Sequence, residues 1–182
     1  MKLKIKVKRL NKNLPLPAVL GKADWIDLRA SENHIFFSPK GGEMKTVEVN
    51  DKKIKYNNVK LDYYLMPLGV AIKLPDGYEA QVVARSSLPS GFGLIVANSI
   101  GIIDGGPLGY NGNSDEWKAP LIALRDTTVN EGERIVQFRV TLSQKATFWQ
   151  KLKWLFYNGV KIIEVDDLGE SSRGGFGTTG KV

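Results

Sequence analysis

Turn-forming residues divide this chain into many short segments. Clusters of Pro, Gly, Asn and Asp recur at Pro39-Lys40-Gly41-Gly42, Pro75-Asp76-Gly77, Asn111-Gly112 and Asn130-Glu131-Gly132. Glycine and asparagine accept the positive φ angles of tight turns, and proline cannot donate a backbone hydrogen bond inside a helix or a central strand. A chain interrupted this often is typical of short antiparallel strands and favours a β-barrel or a jelly roll.

The segments between these turns have the spacing or the apolar content of strands. In residues 2–8, lysines alternate with Leu, Ile and Val, which is the period of a strand with one buried face. The other predicted strands are apolar or alternating runs at 65–74, 78–84, 93–103, 119–125, 134–142 and 159–165. We therefore predict an all-β jelly-roll barrel, built as a single domain over residues 1–170.

One segment has a helical period instead. Between positions 145 and 158, apolar side chains recur at every third or fourth residue, which predicts a short helix inserted near 143–158 and ended by Asn158-Gly159. Its additional tryptophans, Trp149 and Trp154, are expected to pack onto the barrel, with a partner surface as the alternative.

Two further segments contain few apolar residues. Residues 40–62 are polar and rich in lysine, so we expect an inserted hairpin or a mobile loop near 40–60. Residues 171–182 consist mainly of Gly, Ser and Thr and cannot form a packed element alone, so we expect a flexible C-terminal tail.

The charge of the chain favours a small anionic ligand. The 182 residues carry a net charge of +7, and a nucleotide triphosphate would encounter such a protein faster. The alternating lysines at 2–8 are explained by the solvated face of a strand, so a nucleic-acid partner is not expected.

The chain has no cysteine, no apolar run near the roughly 20 residues of a membrane span, and no signal-peptide pattern. We therefore expect a cytoplasmic protein with no membrane partner.

The tail and three strand ends carry residues suited to binding phosphate. The tail reads Arg173-Gly174-Gly175-Phe176-Gly177-Thr178-Thr179-Gly180. Its glycines let backbone N–H groups surround phosphate oxygens, its arginine adds a forked donor, and its phenylalanine can stack on a base. The strand ends carry Arg85-Ser86-Ser87, Gly101-Ile102-Ile103-Asp104 and Gly132-Glu133-Arg134-Ile135-Val136-Gln137. Each set is ordinary alone, and their order along the chain makes them informative.

Together with Asp24-Trp25-Ile26-Asp27-Leu28-Arg29-Ala30, these sets resemble the five ordered motifs of the trimeric dUTPase family. The resemblance covers roughly residues 1–182, with insertions near 40–60, 105–109 and 143–158. It implies Mg²⁺-dependent hydrolysis of dUTP to dUMP and pyrophosphate by attack of water on the α-phosphate, which limits uracil in DNA and supplies dUMP for dTMP synthesis. It also implies a homotrimer with shared active sites, and the insertions leave room for a regulatory protein partner.

The resemblance gives roles to individual residues. Asp104 matches the base that activates the attacking water, and Asp27 matches the carboxylate that holds magnesium through water. Arg85, Ser86 and Gln137 match phosphate contacts. The full set of positions that match substrate-binding residues is Arg85, Ser86, Ser87, Asn98, Ile103, Tyr110, Gln137, Arg173, Phe176, Gly177 and Thr178. Within it, Asn98 matches the residue that contacts uracil.

The assignment of Tyr110 depends on how the third motif is aligned. The family has Tyr three residues after the base, where this chain has Pro107, but Tyr110-Asn111-Gly112 restores the family's Tyr-x-Gly pattern if three residues are inserted. We therefore assign the wall of the deoxyribose pocket to Tyr110, because a flat apolar ring leaves no partner for the 2′-hydroxyl of UTP. An ungapped alignment would place Pro107 in that wall.

Two other functions compete with this interpretation. The dCTP deaminase family shares the fold and an Arg-Ser-Ser element, but its catalytic Glu would fall at Trp117, with Glu116 one residue away. A nucleotide sensor that has lost turnover would not need Asp104 and Asp27, both of which this chain retains. Ammonia release against pyrophosphate release separates the two enzymes.

Overall fold

A computed structural model describes residues 1–19, 24–107 and 109–172, and it confirms the all-β prediction. The strands are β1 (Leu3–Arg9), β2 (Ile26–Arg29), β3 (His34–Phe36), β4 (Met44–Val49), β5 (Lys52–Asn57), β6 (Tyr63–Pro67), β7 (Val70–Lys73), β8 (Tyr78–Ala84), β9 (Leu94–Val96), β10 (Ile100–Asp104), β11 (Lys118–Ala123), β12 (Thr127–Val129), β13 (Arg134–Leu142) and β14 (Val160–Glu164). One α-helix in these ranges, α1, spans Phe148–Trp154, and Leu88–Phe92 form a π-helical turn. In the part of the chain so described, no helix has the length and apolar character to cross a membrane.

The strands form three sheets and two ribbons, and the three sheets and the β12-β3 ribbon contribute to one hydrophobic core. The sheet orders are β14-β1-β7, β10-β8-β13-β2 and β6-β11-β9, and the ribbons are β12-β3 and β4-β5. In β1, Leu3, Ile5 and Val7 are buried while Lys4 and Lys6 are exposed, which confirms that these lysines form the solvated face of a strand. The strand β1 pairs in parallel with β14 and antiparallel with β7, so the first and last of these strands lie in one sheet.

Two of the predicted strands are each broken by a residue with positive φ. The run 65–74 is divided into β6 and β7 at Gly69, whose φ is 66°. The run 93–103 is divided into β9 and β10 at Ser99, whose φ is 59°. A left-handed residue reverses or bends the chain, and apolar content alone does not indicate where this happens.

The inserted segment near 40–60 contains the ribbon of β4 and β5. These strands pair from Met44 opposite Asn57 to Val49 opposite Lys52. The turn between them has Asn50 and Asp51 at φ of 50° and 60°, which is the arrangement of a two-residue hairpin turn with positive φ at both central positions. The expected hairpin is therefore present. By contrast, the short strands β2, β3 and β12 were not predicted, because three or four residues are too few to show a period.

The inserted helix is present but shorter than its apolar pattern predicts. Thr147 caps the N-terminus of α1, and Gln150 returns the bond in a capping box. The α-helix ends at Trp154, and tighter i→i−3 hydrogen bonds continue the turn as far as Tyr157. Trp154 packs against Tyr78 with ring centroids 5.7 Å apart, as expected. Trp149 is 68% exposed, so the expectation that it packs onto the barrel is wrong.

Residues 165–172 are fastened to the barrel. Leu168 is buried, its N–H donates to Asn113 Oδ1 at 3.0 Å, and its carbonyl accepts from Lys73 Nζ at 3.1 Å. The Asn113 amide and the Gly169 N–H donate to Asp167, and these two bonds hold the pKa of the Asp167 carboxyl below its ordinary value. Residues 167–169 are therefore held at a defined position, next to the loop that follows β10.

Candidate active site

A half-buried carboxylate, Asp27 of β2, is the centre of a charged cluster at one end of the sheet β10-β8-β13-β2. Its Oδ1 accepts from Arg85 Nε and its Oδ2 accepts from Arg134 Nη1, both at 3.0 Å. Two guanidinium groups and one carboxylate leave a local charge of +1. The other guanidinium nitrogens of both arginines have no hydrogen-bond partner within the described residues. The cluster therefore offers unused, charged donors suited to phosphate oxygens.

A β-bulge brings Arg134 to the face of the sheet that carries Asp27. The register of β13 against β2 shifts between Arg134 and Val136, while Gln137 lies directly opposite Asp27. In a regular strand, residues 134 and 137 would point to opposite faces, and the extra residue at the bulge puts both on the same face. The N–H of Arg85 donates to the carbonyl of Ile135 at 3.2 Å, which fixes Arg85 to this bulge. Arg134 was not among the predicted site residues, and a bulge has no clear sign in the sequence.

Three more predicted phosphate-binding residues lie at this end of the sheet. Gln137 is half-buried, Ser86 and Ser87 are exposed, and the side chains of all three make no hydrogen bond within the described ranges. Ser87 is the N-cap residue of the π-helical turn but does not cap it with its hydroxyl. The structure therefore brings Asp27, Arg85 and Gln137 together, with the two serines on the adjoining turn.

Asp104 lies at the other end of the same sheet. It is the exposed last residue of β10 and pairs with Glu79 near the start of β8, whereas Arg85 follows the end of β8. The six residue-to-residue steps from 79 to 85 span about 20 Å of extended strand. Within one chain, the predicted base and the phosphate cluster therefore cannot act on the same phosphorus atom.

The remaining residues of the third motif are distributed along β10. Ile103 is partly buried and packs against the core next to Asp104. Asn98 precedes Ile100, which pairs with Val83, so Asn98 lies at the Arg85 end of the sheet. A nucleotide that contacts both Asn98 and Asp104 of one chain must therefore lie along β10.

Tyr110 is brought back beside Asp104 by a closed loop. The N–H of Gly109 donates to the carbonyl of Gly106 at 2.9 Å, and a Cβ on Gly109 would stand only 2.4 Å from the Asp104 carbonyl oxygen. Tyr110 donates its hydroxyl to the Glu116 carbonyl at 3.2 Å, and burial raises the pKa of this phenol. Pro107, by contrast, is exposed in the loop between Asp104 and Gly109. This geometry favours the inserted alignment, because the chain returns to Asp104 just before the tyrosine.

A buried carboxylate holds the start of the C-terminal tail against the same loop. Asp115 is 1% exposed, accepts from the Gly112 N–H at 2.7 Å and accepts from the Ser172 hydroxyl. Asp115 was not among the predicted site residues. The tail thus begins beside the loop that follows Asp104. Its predicted substrate contacts, Arg173, Phe176, Gly177 and Thr178, lie outside the described residues.

The donor set fits a magnesium ion that is held through water. No group of three or more His, Cys, Asp or Glu that could hold a metal occurs within residues 1–19, 24–107 and 109–172. Mg²⁺ keeps several of its waters and is commonly bound by one or two carboxylates plus substrate phosphates. Asp27 is one carboxylate with each oxygen already bonded to an arginine, so it suits contact with bound water better than direct coordination.

The residues that a deaminase would need are used for structure. Trp117 is 1% exposed and packs edge-on against Phe138 at 5.2 Å. The neighbouring Glu116 accepts a hydrogen bond from the Gly69 N–H at 2.9 Å, and this bond stabilises the turn between β6 and β7. Neither side chain is placed as a free acid or base.

The chain is similar to known proteins over almost its whole length. No family model matches the chain. It is 40% identical over 178 residues to the SPbeta prophage-derived deoxyuridine 5′-triphosphate nucleotidohydrolase of Bacillus subtilis, covering 98% of this chain and 99% of that protein. The dUTPase of Staphylococcus bacteriophage 80alpha with dUPNHPP is similar in structure, with a TM-score of 0.56, 17% identity, and coverage of 97% and 98% of the two chains. A mutant dUTPase from phage phi11 of S. aureus, described with coordination of a structural Mg(II) ion, matches with a TM-score of 0.56 and 15% identity over 79% of this chain and 94% of that one. The chain therefore belongs to the deoxyuridine 5′-triphosphate nucleotidohydrolase family.

Proposed function

We propose that this protein hydrolyses dUTP to dUMP and pyrophosphate. The observation that carries the proposal is the cluster of Asp27, Arg85 and Arg134 beside Gln137, which offers charged donors at the position where the family motifs meet. The match to the prophage enzyme of Bacillus subtilis over nearly the whole of both chains supports the same reaction.

The chemistry follows from two groups of residues. Asp104 accepts a proton from a water molecule whose oxygen forms a bond to the α-phosphorus. The bond from that phosphorus to the oxygen bridging to the β-phosphate breaks, and pyrophosphate leaves. Arg85 and Gln137 donate hydrogen bonds to phosphate oxygens, where negative charge develops. Mg²⁺, when bound with the triphosphate, neutralises part of its charge, and Asp27 would hold this ion through water.

Each active site combines residues from different subunits of a homotrimer in this proposal. The distance of about 20 Å along β8 supports a site in which Asp104 of one copy joins the Asp27 cluster of another. Apolar surface suited to such contact is present, because Ile122 lies between the exposed Tyr63 and Ile95 on one sheet face. Ile100 and Ile102 of β10 are also about half exposed, at 51% and 53%. Association of copies would remove this surface from water.

Substrate selection is assigned to β10 and the loop after it. Asn98 would bind the uracil edge and Tyr110 would lie against the deoxyribose, with the nucleoside along the strand between them. The Tyr110 hydroxyl is committed to the Glu116 carbonyl, so the ring presents a face without a free polar group. The 2′-hydroxyl of UTP would then be buried without a partner.

The tail would close over the nucleotide through Arg173, Phe176, Gly177 and Thr178, with Phe176 stacked on the base and Arg173 on phosphate. A cytoplasmic location and a regulatory protein partner stay predictions.

Hydrolysis in ¹⁸O-labelled water tests the reaction and the site of attack together. Pyrophosphate release from dUTP should exceed release from dCTP, dTTP and UTP, depend on added Mg²⁺, and leave the label in dUMP. Label in pyrophosphate would show attack at the β-phosphate. Ammonia release from dCTP would instead identify a deaminase.

The Asp104→Asn variant tests the base. It should bind dUTP but turn over at least roughly 100-fold more slowly, the scale expected for a lost general base. Near-normal turnover in this variant would assign the proton transfer to another group.

A further inference from the structure

Helix α1 and the turn after it expose an apolar surface that the proposed chemistry does not use. Phe148, Trp149, Leu155 and Phe156 are 67–76% exposed and Leu152 is 37% exposed. Together they present on the order of 500 Å² of apolar area, which is at the upper end for a single patch on a soluble monomer. We refer to these five residues as the α1 apex.

The opposite side of α1 is fixed to the barrel. Trp154 packs against Tyr78, and Gln150 Nε2 donates to the Asp76 carbonyl at 2.9 Å. Gly77 allows this close approach, since a Cβ there would stand 2.3 Å from the Gln150 side chain. The orientation of the apex relative to the barrel is therefore set by packing.

Lysines flank the apex on both sides. Successive residues of an α-helix are rotated by about 100°, which puts Leu152 nearly opposite Trp154. The same rotation puts Lys151 on one flank and Lys153 on the other, and both are exposed. An apolar apex between two basic flanks is the pattern of a helix that lies in a membrane interface.

The sequence on either side of α1 is basic as well. Residues 134–163 contain six Lys or Arg and no Asp or Glu. The N-terminal ammonium of Met1 donates to the Phe156 carbonyl at 3.2 Å, at the end of the apex. In the adjoining sheet, the exposed Lys4 and Lys161 lie opposite each other on β1 and β14.

We propose that the α1 apex docks on an anionic lipid bilayer. The apolar side chains enter the interface while the flanking lysines remain at the level of the head groups. Protein interfaces are depleted in lysine, whereas the segment 145–156 carries three lysines and no arginine. A second copy of the helix would bring the same positive charges together, which disfavours self-association through this face. Such a contact needs no membrane-spanning segment. The expectation of no membrane partner rested on the absence of such a segment from the sequence, and it therefore does not bear on this contact.

Vesicle sedimentation with the full-length protein tests the proposal. The protein should pellet with vesicles of equal parts phosphatidylglycerol and phosphatidylcholine and remain in solution with phosphatidylcholine alone. Phe148→Ser combined with Leu155→Ser should lower the partition coefficient at least about tenfold, because it removes apolar area from the interface. Lys151→Glu combined with Lys153→Glu should remove the preference for anionic vesicles.

The exposed β4-β5 hairpin supplies matched controls. Met44→Ser combined with Ile54→Ser removes exposed apolar residues, and Lys45→Glu combined with Lys55→Glu makes the same change of charge. Both control proteins should bind anionic vesicles as the wild type does. Equal losses in the control and α1 variants would show non-specific adhesion by the positive protein and overturn the proposal.

Two other results would also refute it. The first is failure of the wild-type protein to bind anionic vesicles. The second is a change in sedimentation coefficient when the α1 apex is substituted, which would show that copies of the chain cover this face. Unchanged melting temperature and dUTP hydrolysis in the α1 variants would confirm that they are folded.

Discussion

Two inactivating substitutions at opposite ends of the β10-β8-β13-β2 sheet should complement each other when both variants are present in one trimer. Arg85→Ala removes a guanidinium from the phosphate cluster, and Asp104→Asn removes the base, so each homotrimer should be inactive. In a mixed trimer, an intact site forms where the Asp104→Asn chain supplies Arg85 and the neighbouring Arg85→Ala chain supplies Asp104. We expect this arrangement because the two residues of one chain are separated by about 20 Å of strand.

The expected recovery follows from the symmetry of the trimer. The two chains are coexpressed with different affinity tags and purified on both, so that every trimer contains both variants. A ring with two chains of one kind and one of the other has a single junction in the productive order. One site in three is then intact, and pyrophosphate release should reach about one third of the wild-type rate.

Asp27→Ala paired with Arg85→Ala is the matched control. These two residues form a 3.0 Å ion pair within one chain, so no junction between chains restores the cluster. Mixed trimers of this pair should stay inactive. Recovery in the control, or its absence when Arg85→Ala is paired with Asp104→Asn, would refute the shared site.

Four further predictions concern single features. Arg134→Ala should lower kcat/KM for dUTP by roughly 10-fold or more, since a hydrogen bond to a charged group is lost; a kcat/KM within twofold of wild type would exclude a role for the Arg134 side chain. Tyr110→Ala should erode discrimination between dUTP and UTP while Pro107→Ala leaves it intact, and the reverse result would move the sugar wall to the proline. Deletion of 173–182 should leave a trimer of unchanged melting temperature that hydrolyses dUTP poorly, and normal hydrolysis would exclude closure by the tail. The lowered pKa of Asp167 stabilises the fold above the pKa of the unfolded chain, and this contribution is lost as pH falls through the lower, folded value; the melting temperature of Asp167→Asn should therefore fall less than that of the wild type between about pH 5 and about pH 3.

The sequence correctly indicated the strands with a clear period and several of the turns. The alternation in β1 is read directly as one buried face and one solvated face, because successive side chains of a strand point to opposite sides. The hairpin at 44–57 and the presence of a helix near 145–158 were also predictable from local composition. Local signals failed at Gly69 and Ser99, where a single left-handed residue divides an apolar run.

The sequence also determined the family and the identity of most candidate site residues, since the order of the motifs is a property of the chain alone. Which residues meet was decided by the tertiary structure. The bulge in β13 puts Arg134 beside Asp27, and the antiparallel pairing of β10 with β8 puts Asp104 about 20 Å from them. Strand register depends on contacts between segments far apart in the chain, and a change of one residue moves a side chain to the other face of the sheet. For the same reason, the sequence predicted a helix near Trp149 and Trp154, but only packing decided that one tryptophan is held on the barrel and the other faces outward.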